Sequence, residues 1–300
     1  MNPETVARLR EAMRGELLES EPMWQHTSLR VGGPAELFAQ PLDEGDLAAL
    51  LKAARSEGLP VTVIGQGFNL LVRDGGIRGL VISLTMMTAL KRLDERRISA
   101  EAGVWSMNLA RFAQKEGLTG LEFAAGIPGS VGGLLAMNAG AHGSAIIDSV
   151  EILGSIHEGS LLERRQEELE YGYRYLRLQP GEIVTRAVFR LQAGEPETIE
   201  RTMQEMLEKR KASQSVGYPN AGSFFKNPEG AAAWKLIDEA GLRGAKVGGA
   251  QVSEVHTNFL VNVGGATAAD FIELAALIKE RVKERTGIEL EEEVKIVGEA

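Results

Sequence analysis

The sequence predicts an α+β fold in two domains, on three observations. At 300 residues, 44% hydrophobic and 25% charged, the chain has the profile of a soluble globular protein with material for about two domains. Short β-prone pieces and amphipathic helical stretches are mixed until about Ala193-Gly194-Glu195-Pro196, where the pattern becomes one long helix. That change sets a domain boundary between residues 192 and 193. Finally, glycine at 126, 129, 132, 133, 140 and 143 gathers backbone freedom into a single stretch, around which the chain is organised.

Composition also excludes several functions. The stretch Met1 to Ser20 carries Glu4, Arg8, Arg10, Glu11 and Arg14, so it has no signal-peptide core, and no uncharged run is long enough to cross a bilayer. A cytoplasmic protein without membrane insertion is expected. With no cysteine there is neither disulfide nor thiolate nucleophile, and four histidines scattered at 26, 142, 157 and 256 lack metal-site spacing, so no metal is expected. A net charge of −9 argues against nucleic acid as a partner, and an anionic small molecule would need a local basic pocket. Oligomeric state is not legible.

In chain order, Val6, Leu9, Met13 and Leu17 recur at helical spacing. A Gly-Gly-Pro turn at 32–34 follows, and Asp43 then caps a helix bearing Leu47, Leu50, Leu51 and Ala54, which Gly58 stops. Pro60 to Ile64 reads as a short buried strand running into Gly65-Gln66-Gly67-Phe68-Asn69. A dinucleotide fingerprint would need glycine at 70, where leucine stands, so this is either a turn whose amides meet a phosphate or a plain β-turn. Strands are expected over 78–83 and 97–103, and a helix from Ser106 to Gly117.

The glycine run comes next. Its insert, Leu134-Leu135-Ala136-Met137, is helix-forming, which puts Gly132 and Gly133 at a helix N-terminus suited to a diphosphate. A glycine-softened packing contact is the competing reading. Strands at 149–153 and 183–191 flank a polar excursion holding Tyr171, Tyr173, Arg174 and Tyr175. The long helix after 195 ends in Lys209, Arg210 and Lys211, which suit either the helix dipole or a phosphate.

The loop Gly217 to Pro228 packs Ser223, Lys226 and Asn227 among aromatics and prolines, a combination that favours a site over a connector. A helix through Trp234 and Ile237, a turn at 246–251 and a strand at 258–263 follow. Thr267 and Asp270 form a capping box for a last helix closed at Gly287, and 288–297 reads as a strand. On alternation Glu291 and Glu293 share one side of that strand and Glu292 the other.

Arg30-Val-Gly-Gly-Pro-Ala35, Gly65-Gln-Gly-Phe-Asn-Leu-Leu71, Gly126-Ile-Pro-Gly-Ser-Val-Gly-Gly133 with Met137-Asn-Ala-Gly140, Tyr173-Arg174, Ala221-Gly-Ser-Phe-Phe-Lys-Asn-Pro228 and Leu290-Glu-Glu-Glu-Val294 occur together and in order. In these motifs the chain closely resembles the UDP-N-acetylenolpyruvoylglucosamine reductases, flavoenzymes of bacterial peptidoglycan precursor synthesis and so of cell-wall biogenesis, cell shape and division. The short spacing from Arg174 to the strand at Ile183 resembles the compact second type of that family. Two departures are Phe68, where the family usually has serine, and His256-Thr257-Asn258, which varies a Lys-His-Ala stretch.

The resemblance implies a two-lobed FAD-binding domain of the vanillyl-alcohol-oxidase (PCMH) type over 1–192, with lobes of about 1–88 and 89–192, and a small C-terminal α+β substrate domain over 193–300. It implies non-covalent FAD as hydride carrier through N5, NADPH as electron donor and UDP-N-acetylmuramate as product. FAD is expected at Gly32, Gly33, Gly65, Gly67, Asn69, Gly129, Ser130, Gly132, Gly133 and Asn138, and the UDP-sugar at Lys226, Asn227 and Gln251. Catalysis is expected from Arg174 on the substrate carboxylate or its enolate, Ser223 as proton donor, and Glu293, chosen because it directly precedes Val294.

Overall fold

The computed structural model describes residues 2–300. Helix α1 (Pro3–Ala12) is capped by Asn2, whose side chain accepts the Glu4 N–H, and it buries Val6 and Leu9. It ends sooner than the spacing of Met13 and Leu17 suggests. Gly15 packs so closely that a Cβ there would land on the Gln40 carbonyl oxygen, and Leu17 belongs to the strand Glu16–Pro22. Asp43 caps α2 (Glu44–Ser56) as expected, accepting the Asp46 N–H at 2.9 Å.

The strands Glu16–Pro22, Pro34–Gln40, Ile77–Ser83 and Val61–Ile64 form a four-stranded sheet in that order. Val61–Ile64, expected to be buried, is an edge strand parallel to Ile77–Ser83; Val61 and Val63 remain 38% and 37% exposed and only Ile64 is buried. Leu37, Ala39, Leu80 and Ile82 from this sheet pack with Leu9 of α1 and with Leu47 and Leu50 of α2.

A second, five-stranded antiparallel sheet runs Ser160–Arg165, Val150–His157, Ile183–Arg190, Arg97–Glu101, Leu90–Arg92. Its apolar face, with Ile98, Leu153, Val184 and Phe189, packs against α3 (Ser106–Lys115) and α4 (Val131–Ala136). Ile199 and Met203 of α5 (Pro196–Gln214) join the same cluster.

The chain forms two compact units. One comprises the residues up to Glu19, Leu37–Gln66 and Gly79–Arg210; the other is Ser20–Glu36, Gly67–Arg78 and Lys211–Ala300. The division therefore differs from a single cut at 192/193. Much of α5 belongs with the first unit because Ile199 and Met203 are buried there, and two early segments belong with the second because Leu29, Val31 and Leu71 share its core.

The second unit has a four-stranded sheet, Asn220–Ser223, Phe259–Asn262, Ala250–Val252, Lys246–Val247. Helix α6 (Ala233–Glu239) and α7 (Ala268–Thr286) contribute Ile237, Phe271, Leu274, Ile278 and Val282 to the core. The Thr267–Asp270 capping box and a left-handed Gly287 bound α7. The C-terminal strand is shorter than expected: only Lys295–Val297 pairs, parallel to Leu70–Val72, because residues 291–293 bond instead to the backbone at 224–226.

Candidate active site

In the first unit the glycine run turns into α4 with Ser130 as its N-cap. The Val131 and Gly132 N–H groups donate to the Val104 and Ala102 carbonyls, each at 2.8 Å, so Gly132, expected to offer its amide, is engaged within the chain. Its lack of a side chain serves packing, since a Cβ would come 2.8 Å from the Ala102 Cβ. Gly129 and Gly133 are different. A Cβ at either would meet nothing closer than 3.6 Å and 3.7 Å respectively, and Gly133 is exposed.

Ser130 Oγ lies under Gly65, where a Cβ would approach it to 2.5 Å, and faces Gly133. A bare, hydroxyl-floored backbone of this kind accommodates a diphosphate in close approach. Arg210 of α5 adds a cation, its Cδ 3.8 Å from the position of a Gly126 Cβ. Burial pushes the Arg210 guanidinium below the ordinary arginine range, the mark of a cation with little hydration, which an anion stabilises. The sequence showed Arg210 only as one of three cations near a helix end; tertiary packing singles it out.

Arg174 occupies the turn of a small hairpin, Tyr171–Gly172 paired with Tyr175–Leu176. Its φ of 62° is left-handed, Nη2 donates to the Gly140 carbonyl at 3.2 Å, and the guanidinium lies 5.0 Å from the Tyr173 ring centroid. Asn138, at φ 43°, donates from Nδ2 to the Gly172 carbonyl at 2.9 Å.

In the second unit, Gly32, Gly33 and Gly67 stand where a side chain has no room. A Cβ on Gly32 would come 2.7 Å from that of Val72, one on Gly33 would strike the Asp74 carbonyl oxygen, and one on Gly67 that of His26. Asn69 donates from Nδ2 to the Glu293 carbonyl at 2.9 Å, and its own carbonyl accepts the Lys295 N–H at 3.1 Å. It therefore fixes the backbone of a residue more than two hundred positions later in the chain.

Ser223 ends its strand after an irregularity at Gly222, whose φ is 75° and whose N–H bonds Asn220 Oδ1 at 3.0 Å. The next residue, Phe224, accepts the Glu293 N–H at 2.8 Å, so the backbones of Ser223 and Glu293 are brought together. The three glutamates have separate fates. Glu291 pairs with Lys226, Glu292 with Lys279 at 3.0 Å, and Glu293 is clamped through its backbone on both sides. Lys226 is thus in an ion pair, Asn227 Oδ1 accepts the Ala233 N–H at 3.0 Å at the start of α6, and Gln251 Nε2 donates to the Gly244 carbonyl at 3.3 Å.

Comparison with known proteins agrees with this architecture. Residues 35–156 match the model of an FAD binding domain, and 214–297 that of the UDP-N-acetylenolpyruvoylglucosamine reductase C-terminal domain. The chain is 58% identical over 298 residues to the UDP-N-acetylenolpyruvoylglucosamine reductase of Geotalea uraniireducens, covering 99% of both chains. It is also 58% identical over 299 residues to that of Geobacter metallireducens, covering 100% of both. A crystal structure of UDP-N-acetylenolpyruvylglucosamine reductase from Thermus caldophilus is similar with a TM-score of 0.80 at 37% identity, covering 95% of this chain and 99% of that one. An FAD-binding domain of the expected α+β class followed by a smaller C-terminal domain is accordingly the fold. The chain belongs to the UDP-N-acetylenolpyruvoylglucosamine reductase family.

Proposed function

We propose that this flavin-dependent oxidoreductase, a UDP-N-acetylmuramate dehydrogenase by family, takes its electrons from NADPH and reduces UDP-N-acetylenolpyruvoylglucosamine with Ser223 as proton donor. The observation that carries the proton-donor assignment is the Phe224–Glu293 backbone hydrogen bond, which sets a hydroxyl and a carboxyl on adjoining segments of one unit. Gly65, Gly129, Ser130 and Gly133, with Arg210, would hold the diphosphate of FAD. FAD supplies a two-electron carrier that the side chains of this chain lack.

Reduction adds hydride to the terminal carbon of the enolpyruvyl alkene and a proton to the carbon bearing the carboxylate, so negative charge grows on that carboxylate side. Arg174 answers it with the planar donor fork that suits a carboxylate. Ser223 gives its hydroxyl proton to the carbon. Glu293, held by Asn69 and Phe224, donates a hydrogen bond in its protonated form as the charge builds. Of the expected UDP contacts, Lys226 lies in a part-exposed ion pair that exchanges partners readily, and Asn227 and Gln251 each bond the backbone through one end of the amide, leaving Asn227 Nδ2 and Gln251 Oε1 to meet the nucleotide.

The test is an anaerobic stopped-flow trace of both half-reactions with the purified flavoprotein. NADPH should bleach the flavin within about a second, and enolpyruvyl substrate should restore the colour. Bleaching by an alcohol or hydroxy acid rather than NADPH would assign a different oxidoreductase on this scaffold, and no bleaching at all a flavin-binding module without redox turnover.

A further inference from the structure

Arg174 stands in the turn of a short hairpin. Its hairpin has the pairs Tyr171↔Leu176 and Gly172↔Tyr175, extended by the Arg177 N–H bond to the Glu170 carbonyl at 2.8 Å, and a two-stranded ribbon of that size does not hold a fixed shape in water by itself. Leu176 anchors it in the core of the first unit, and polar contacts from outside the hairpin fix its turn. Asn138 is buried, 6% exposed, and its amide bridges two segments: Nδ2 donates to the Gly172 carbonyl, in the pair that closes the hairpin turn, and Oδ1 accepts the Ile147 N–H at 3.4 Å. Two residues on, the Gly140 carbonyl receives the Arg174 guanidinium at the hairpin tip.

The segment 138–140 therefore holds the turn of the hairpin at two points, and that segment is itself tied down. Ala139 N–H donates to Leu134 of α4 at 2.8 Å, and Ile146 N–H to the Ala139 carbonyl at 2.9 Å. Gly172 completes the fit, because a Cβ there would come 2.5 Å from the Tyr175 ring. Asparagine suits position 138 twice over: it tolerates a φ of 43° and supplies both a donor and an acceptor.

We infer that Asn138 is a positioning residue for Arg174 rather than a ligand of the flavin, coupling the glycine run that ends in α4 to the arginine of the Tyr171–Leu176 hairpin. The inference rests on the proposed role of Arg174. Asn138→Asp keeps shape and φ tolerance but turns an acceptor toward the Gly172 carbonyl. Asn138→Gly removes the side chain while relieving the backbone, and serves where the aspartate variant fails to fold.

In either variant, FAD affinity and reduction by NADPH should stay within about threefold of the parent, while re-oxidation by enolpyruvyl substrate falls about a hundredfold, as for a group displaced by roughly an ångström. In an Arg174→Ala background the same change should cost nothing further. Trypsin should also cut the folded holoprotein after Arg174 faster when Asn138 is changed. Loss of FAD with normal re-oxidation in the flavin-loaded fraction would make Asn138 a flavin ligand, and losses that multiply with Arg174→Ala would show it acting elsewhere; either overturns the inference. If Arg174→Ala alone leaves re-oxidation intact, the arginine's proposed role falls, whereas unchanged tryptic cleavage removes the hairpin grip itself.

Discussion

Ser223→Ala removes one oxygen from the end of a strand whose backbone bonds stay in place, so the protein should fold and load flavin normally. Reduction by NADPH should persist and re-oxidation by substrate should slow about 10²–10⁴-fold, the range for loss of a proton donor; equal losses in the two stopped-flow phases would exclude the serine from that role. Glu293→Gln should show the same split. Glu292→Gln, which breaks only its pair with Lys279, should alter either phase by less than about twofold. Two glycines give a matching contrast. Gly67→Ala meets the His26 carbonyl at a left-handed φ of 67° and should lower stability by more than about 1 kcal/mol in denaturant titration. Gly133→Ala has room and sits in a helix, so the melting temperature of the apoprotein should hold or rise while FAD affinity drops. Sequence motifs named both glycines alike, because a motif records that glycine is required and not whether protein or ligand requires it. Likewise Asn69 stood in a flavin motif, and its Nδ2 bonds the distant Glu293 carbonyl. Side-chain partners so far apart in sequence leave no local signal.

Helix α7 carries its own pH response. The N–H of Thr267, then that of Gly249, hold the Asp270 carboxyl below the ordinary aspartate range. A carboxyl lowered in the folded state adds stability above its unfolded pKa of about 3.9, and that stability is lost as pH falls toward the folded value. Asp270→Asn should therefore melt lower than the parent at neutral pH, with the gap narrowing below about pH 4. Thr267→Ala, which removes the other half of the box, should cost about 1 kcal/mol by thermal melting. This helix was legible from end to end because its caps and apolar period are local. Helix α1 and the C-terminal strand were not, for a shared reason: Gly15 and residues 291–293 take their conformation from the Gln40 carbonyl and from the backbone at 224–226, far away in sequence. The exposure of Val61 and Val63 was equally invisible, since four β-prone residues read the same at an edge as at the centre of a sheet.

At the scale of the molecule, the change of pattern near residue 193 marks the start of α5 rather than the limit of a compact unit. A fragment of residues 193–300 lacks Leu29, Val31 and Leu71 from its core and the Leu70–Val72 partner of its last strand. It should stay unfolded by circular dichroism, and adding the segments 20–36 and 67–78 on a linker should restore it in part; a cooperative melt from 193–300 alone would contradict this. Full-length protein should gain about 2.7 kcal/mol when FAD is present at a hundred times its dissociation constant. Arg210, a partly buried cation beside the glycine run in a chain of net charge −9, should contribute to that gain, so Arg210→Ala should reduce it.

The parallel pairing of Leu70–Val72 with Lys295–Val297 has a consequence during synthesis. The earlier strand leaves the ribosome while its mate is still untranslated, and at bacterial elongation rates the wait is roughly ten to forty-five seconds. Throughout it an apolar edge stands open to neighbouring nascent chains. Crowded polysomes and overexpression should therefore harm yield more than heat does, and a chaperone that shields the newborn N-terminal half should matter more here than for a protein assembled from consecutive pieces.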